Sequence, residues 1–264
     1  MAVGRARGAP PRSRSHAQHF LRSTRLAAEI VRGAAIRPGE LVLDLGAGTG
    51  VLTAPLAATC AHVRAIEIDP TLVAALRRRF APAPSVEIVH EDVLRLPLPR
   101  EPFRVLANIP FNRTTAIMRR LLDDPKLPLT RADLIVELDV AWKRARCSPS
   151  TALGAYWGAW WEFGVVRRLD ASAFMPPPAA HAAVLRVERR RDPLVPHAHA
   201  RDYRALVRAA FDARAPVRRT LRGRLSPLEL KRLGRDLGFA PDAPPWELDQ
   251  YQWAGVHRFV RGGR

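Results

Sequence analysis

Asn108-Ile109-Pro110-Phe111 brings together a side-chain amide, a backbone carbonyl and an aromatic ring. An amine attached to an aromatic base is a poor nucleophile, because its lone pair is delocalised into the ring. The Asn108 amide oxygen and the Pro110 carbonyl can each accept one of its hydrogens, which favours a pyramidal nitrogen with its lone pair turned outward. No strong base is needed, in keeping with the lack of a Ser/His/Asp constellation in this stretch. Phe111 offers a face on which an extruded base can stack, worth about 1–3 kcal/mol. Extrusion from a paired context costs a few kcal/mol, so a base in a loop is the easier target. Taken alone, Asn-x-Pro-aromatic is equally compatible with a turn.

A second cluster, Asp44-Leu45-Gly46-Ala47-Gly48-Thr49-Gly50, places glycine at 46, 48 and 50 directly after a short apolar run. Glycines there let a ligand approach the backbone, and a following helix N-terminus adds partial positive charge. A dinucleotide fingerprint needs glycine at 51, where Val51 stands. Asp44 suits a positively charged ligand better than a pyrophosphate. Glu67, 17 residues past Gly50, can accept both hydroxyls of a ribose. Asp92 can accept from an adenine amino group while the Val93 N–H donates to the ring. Each acid alone would pass for a strand-end or turn residue; their succession along the chain points to one ligand site.

These residues need a scaffold, and the apolar pattern supplies one. Short apolar runs at 41–45, 63–68, 86–90, 103–107 and 133–138 predict strands. Helical spacing at 24–35, 51–58, 70–80 and 114–122 predicts helices between them, with Thr24 as an N-cap and Gly33 with Pro38-Gly39 ending the first. Alternation of this kind indicates an α/β fold, a parallel sheet with helices on both faces, whose ligands sit at the carboxyl ends of the strands. Residues 182–188 predict a late antiparallel edge strand. Beyond Arg189-Arg190-Arg191 only helical stretches remain, at about 200–213, 216–223, 226–237 and 246–259. This divides the chain into a basic arm (1–15), an α/β domain (16–190) and a small helical domain (191–264).

The chain of 264 residues is 47% hydrophobic and 26% charged, enough to bury a core. No apolar run is long enough to span a membrane. Cys60 and Cys147 show no paired spacing, and the eight histidines no metal-ligand spacing, so neither a disulfide scaffold nor a metal is expected. The 43 basic against 25 acidic residues give +18, a field that attracts polyanions, nucleic acid first. Residues 181–264 carry 18 basic and 9 acidic residues, about twice the charge density of the remainder. Within them Arg214, Arg218, Arg219, Arg222 and Arg224 are dense enough to contact nucleic acid. Arg77-Arg78-Arg79 reads as solvated charge, and Trp157, Trp160 and Trp161 as a core stripe on a helix. The first fifteen residues lack the apolar segment of a secretory signal.

Asp-x-Gly-x-Gly-x-Gly resembles motif I of S-adenosylmethionine-dependent methyltransferases. Together with Asn108-Ile109-Pro110-Phe111 and Gln18-His19-Phe20-Leu21, the chain resembles the rRNA adenine N6-methyltransferases over about residues 15–260. That group holds the Erm macrolide-resistance enzymes and the small-subunit rRNA adenine dimethylases. The resemblance implies a Rossmann-like methyltransferase domain with a helical RNA-binding domain, and S-adenosylmethionine as cofactor. It implies that His19 and Leu21 line the cofactor site and that Gly46, with Gly48, meets the cofactor's amino-acid part. Glu67 would take the ribose, Asp92 and Val93 the adenine, and Asn108 both the methyl donor and the target amine. Phe174, in Phe174-Met175-Pro176-Pro177-Pro178, would stack on the target base opposite Phe111. Position 19 departs from the family, which commonly has Asn there.

Three functions follow. The first is an Erm-type enzyme placing one or two methyl groups on N6 of an adenine in 23S rRNA, free or before assembly, and so conferring macrolide-type resistance. Ile109 with Phe111, and the arginine-rich arm, lean this way. The second is a small-subunit dimethylase of ribosome biogenesis, and the third an RNA-binding module without catalysis. A cytoplasmic monomer is expected.

Overall fold

In the computed structural model, residues 19–59, 62–146 and 148–262 are described. The basic arm, Gln18, Cys60 and Cys147 lie outside the described residues. Five apolar runs form parallel strands, β2 (Leu41–Leu45), β3 (His62–Glu67), β4 (Val86–His90), β5 (Phe103–Asn108) and β6 (Leu129–Glu137). A two-stranded pair, β1 (Phe20–Leu21) with β8 (Phe174–Met175), lies outside this sheet. The main sheet has the order β4-β3-β2-β5-β6 and continues through β9 (Ala182–Arg189) to β7 (Trp161–Leu169). The chain runs outward from β2 through β3 to β4, then returns to β5 on the other side of β2. The order therefore reverses between β2 and β5, and such a switch point opens a crevice at the carboxyl ends of the strands. Both chemistry-bearing turns, after β2 and after β5, lie there.

Helix α1 (Thr24–Ala34) leads into the sheet, α2 (Thr53–Ala57), α3 (Pro70–Phe80) and α4 (Thr114–Leu122) are its crossovers, and α5 (Leu138–Ala145) with α6 (Ala152–Trp157) lead from β6 to β7. Asp69 caps α3, accepting from Thr71 N at 2.7 Å, with Pro70 in the first turn. In α1 the cap is Ser23, not Thr24: its hydroxyl accepts from Leu26 N at 3.1 Å. Ala35, left-handed at φ 48°, ends that helix rather than Gly33. Arg104 donates to the orphan carbonyls of Ala34 and Ala35, at 2.5 and 3.1 Å, and so covers the helix end.

Two expectations need correction. The late strand 182–188 is antiparallel, but it is internal, between β6 and β7. The edge is β7, which begins at Trp161, in a stretch read as helical. Spacings of three and four between the tryptophans match a helix, whereas the strand's own alternation is broken by a register shift between Val165 and Arg167. The three tryptophans are fully buried all the same.

After β9 the chain forms α7 (Ala200–Asp212), α8 (Val217–Thr220), α9 (Pro227–Leu237) and α10 (Gln250–Gly262). Ser226 and Glu229 form a capping box on α9, and Gly238 closes it in the left-handed conformation. One apolar cluster runs from β5 and β6 through Trp157, Trp160 and Trp161 to Tyr203, Leu206, Leu230 and Trp253. The Tyr203 hydroxyl donates to the buried Ala155 carbonyl at 3.0 Å. No described helix is long and apolar enough to cross a membrane.

Candidate active site

The turn after β2 is built on left-handed backbone at Gly46 (φ 73°), Gly48 (φ 57°) and Gly50 (φ 78°). A side chain at 48 would place its Cβ 2.6 Å from the Phe20 ring, and one at 50 would meet Phe80 at 2.7 Å. Above Gly46 there is room, since the nearest atom, Pro110 Cδ, is 4.0 Å from where a Cβ would stand. Arg79 donates to Thr49 O at 2.6 Å. One member of the arginine run read as solvated therefore braces the turn.

Glu67, at the end of β3 and 1% exposed, accepts from Gly48 N at 2.8 Å, Ile68 N at 2.8 Å and Asp69 N at 3.0 Å. A carboxylate has about four lone-pair sites, so one remains for a ligand hydroxyl. Gly48 is buried and acts by orienting Glu67; it lines neither cavity described below. Asp44 is wholly buried and accepts from the Thr53 hydroxyl at 2.7 Å. Burial, with the Glu67 charge adding to it, pushes its carboxyl up to about 7. It braces α2 from beneath rather than facing a cationic ligand.

At the end of β4, Asp92 accepts from Leu94 N at 2.9 Å and faces Arg113 Nη1 at 3.4 Å. Among the described residues the neighbouring Val93 N–H meets no acceptor. At the end of β5, Asn108 Nδ2 donates to His19 O at 2.7 Å. The amide's rotation is thereby fixed, and Oδ1 is left without a protein donor. Pro110 O accepts from Arg113 N at 2.9 Å and keeps its second lone pair.

Two cavities meet at Gly46 and Pro110. One, of about 290 Å³, is lined by His19, Phe20, Asn108, Ile109 and Phe111 as well as the shared pair. The other, of about 460 Å³, adds Glu67, Ile68, Asp92, Val93 and Arg113. Together they form a bent space: acceptors of amine hydrogens at one end, a carboxylate in the middle, and an unpaired N–H among apolar walls at the other.

Sequence reasoning placed Gly46, Glu67, Asp92, Val93, Asn108, Pro110, Phe111 and His19 on this space, and the structure brings them together. Leu21 is not among them. It is 5% exposed and packs in the core, and Phe20 lines the wall instead, because adjacent residues of an extended strand face opposite ways. Phe174 is 1% exposed and lines neither cavity. Its ring stands edge-on to Phe111, with centroids 6.3 Å apart, so it backs Phe111 and has no open face. Ile68 and Arg113 were missed; only their positions just beyond strand ends could have signalled them.

In the helical tail, Arg214, Arg219, Arg222 and Arg224 are exposed, with no ion pair among the described residues, whereas Arg218 is paired with Asp242. Among the described residues no cluster of three or more His, Cys, Asp or Glu has the arrangement of a metal site.

Comparison with known proteins adds what geometry alone does not. A family model for ribosomal RNA adenine dimethylases matches residues 12–231. The mycinamicin-resistance protein MyrB of Micromonospora griseorubida is 36% identical over 239 residues, covering 90% of this chain and 74% of that protein. The ribosomal RNA small subunit methyltransferase A of Synechococcus sp. (strain RCC307) is 35% identical over 253 residues, covering 90% of this chain and 92% of that protein. Among solved structures, the 23S rRNA methyltransferase ErmE superposes with a TM-score of 0.81 at 27% identity, over 92% of this chain and 99% of that one. By these likenesses the chain belongs to the ribosomal RNA adenine dimethylase family and is an S-adenosylmethionine-dependent rRNA adenine N6-methyltransferase.

Proposed function

We propose that this enzyme methylates N6 of an adenine in 23S rRNA, free or before assembly, and thereby confers resistance to macrolide-type antibiotics. The observation that carries this choice is the likeness to ErmE over nearly the whole of both chains. Ile109 and Phe111, and the name of MyrB, support it. The small-subunit methyltransferase, equally similar in sequence, supports the second reading, a dimethylase acting on the small-subunit RNA.

S-adenosylmethionine supplies an electrophilic methyl group on a sulfonium centre. The residues present fit it: an open backbone turn at Gly46, a carboxylate with a spare lone pair at Glu67, and an unpaired N–H at Val93. Gly46 would take its amino-acid part, Glu67 its ribose, and Asp92 with Val93 its adenine. Asn108 Oδ1 and Pro110 O hold the two hydrogens of the target amine, which turns the nitrogen lone pair toward the methyl group. Phe111, backed by Phe174, carries the flipped base. Exposed Arg214, Arg219, Arg222 and Arg224, in a helical RNA-binding region from residue 191 onward, hold the phosphate backbone. We take the working form to be a cytoplasmic monomer.

Radiolabelled S-adenosylmethionine offered to protein-free 23S rRNA and to assembled small subunits tests the reading. Label on an adenine of 23S rRNA is expected; label confined to the small-subunit RNA overturns it in favour of the second.

A further inference from the structure

Arg113 touches both ends of the bent space. Its backbone N–H donates to Pro110 O at 2.9 Å, and its side chain lines the larger cavity and meets Asp92. The two residues stand beyond the ends of β5 and β4, with β2 and β3 between those strands, so their contact spans the crevice. Among the described residues Asp92 Oδ1 accepts from Leu94 N at 2.9 Å, while Oδ2 meets Arg113 Nη1 alone, at 3.4 Å. The guanidinium has no other hydrogen-bond or ion-pair partner among them. Glu67, the other acid on that cavity, is fixed by backbone N–H groups and needs no such help.

We propose that Arg113 is a positioning residue that sets the cofactor site's preference for a 6-aminopurine, a role that rests on the reading above, in which the cofactor's adenine lies at Asp92 and Val93. A carboxylate only accepts, so it favours a 6-amino group and repels a 6-oxo group. It does either only while an oxygen is held toward the purine. A partly exposed pair of this length adds little to stability. What it fixes is the direction of Asp92 Oδ2.

Any residue but proline at position 113 keeps the backbone N–H, so Pro110 O keeps its donor and the target amine its acceptor. Loss of the guanidinium therefore acts on recognition of the cofactor and not on the transfer step. The Val93 N–H keeps its own share of the discrimination, because a 6-oxopurine carries a hydrogen on the ring nitrogen where adenine has a lone pair. The preference narrows without vanishing.

The experiment measures, by calorimetry on the full chain, binding of S-adenosylhomocysteine and of its 6-oxo counterpart S-inosylhomocysteine to wild type and Arg113→Met, alongside steady-state transfer to protein-free rRNA. Wild type is expected to prefer the adenine compound by on the order of a hundredfold, and Arg113→Met to narrow that preference about tenfold. The variant is expected to raise KM for S-adenosylmethionine and to leave kcat within about a factor of three. Equal weakening of both compounds, a preference unchanged in the variant, or a wild type without preference overturns the proposal. Arg113→Leu carries the same test if Arg113→Met does not fold. A wild type that shows the preference but labels no rRNA adenine refutes the methylation reading instead, so the two failures are distinct.

Discussion

The Asn108 side-chain nitrogen donates to the His19 carbonyl at 2.7 Å, across 89 positions of sequence. An amide can present either its oxygen or its nitrogen to a substrate, and this bond decides for the oxygen. Replacing Asn108 by Ala removes an acceptor aimed at the reacting amine and is expected to lower transfer by at least 10²–10³-fold. S-adenosylhomocysteine binding, read by calorimetry, is expected to change far less than the rate.

Gly48 combines a left-handed backbone with a Phe20 ring where its Cβ would be. Gly48→Ala therefore strains the turn and pushes Phe20 off the cavity wall. A stability loss of about 1–2 kcal/mol is expected from urea unfolding, with weakened binding of S-adenosylhomocysteine.

Asp44 gives a pH signature of the opposite sign to the usual carboxylate. Its folded carboxyl, raised by burial from an ordinary 3.8 to about 7, binds protons that the unfolded chain releases. The native state thus loses stability as pH rises through this window, by about 2–3 kcal/mol between roughly pH 5 and pH 7. Denaturant titrations of the wild type are expected to show the decline, and those of Asp44→Asn to lack it.

Phe111 and Phe174 separate by burial. Phe111 is half-buried on the cavity wall, so Phe111→Ala is expected to weaken RNA capture by about 1–3 kcal/mol while changing stability little. Phe174→Ala opens a hole in a packed cluster and is expected to cost about 3–5 kcal/mol of stability. Binding isotherms with thermal melts on both variants check this division.

For Arg219, Arg222 and Arg224, each change to Ala is expected to flatten the plot of log binding constant against log salt by somewhat under one unit. Filter binding of protein-free rRNA over a salt series reads the slope. Arg218, already paired with Asp242, is expected to change it less.

The parallel sheet and the crossovers before residue 125 were legible because their signals are local: apolar runs of strand length, glycines at a turn, a proline in the first turn of α3. Most of the predicted site residues gave local signals too: Glu67 and Asn108 end strands, and Gly46, Asp92 and Pro110 stand within two residues of a strand end, whereas His19 precedes β1. β7 was hidden because Trp157, Trp160 and Trp161 obey helical spacing on either side of a turn. Leu21 and Phe174 were misplaced for a different reason. A two-residue strand carries no period, so which of Phe20 and Leu21 turns inward is decided only by its pairing with Phe174–Met175. The place of Arg113 beyond β5 hinted at the site but not at its partner: its contact with Asp92 joins two strand ends that only the folded sheet makes neighbours.

The tryptophan cluster between sheet and tail has a consequence for evolution. Because Trp157, Trp160 and Trp161 are sealed by Tyr203, Leu206 and Trp253, severing the chain near residue 190 would strand a greasy wall in water. Sheet and helical tail are then expected to melt in one transition, so that changes on the tail's exposed face are tolerated where exchange of the whole tail is not.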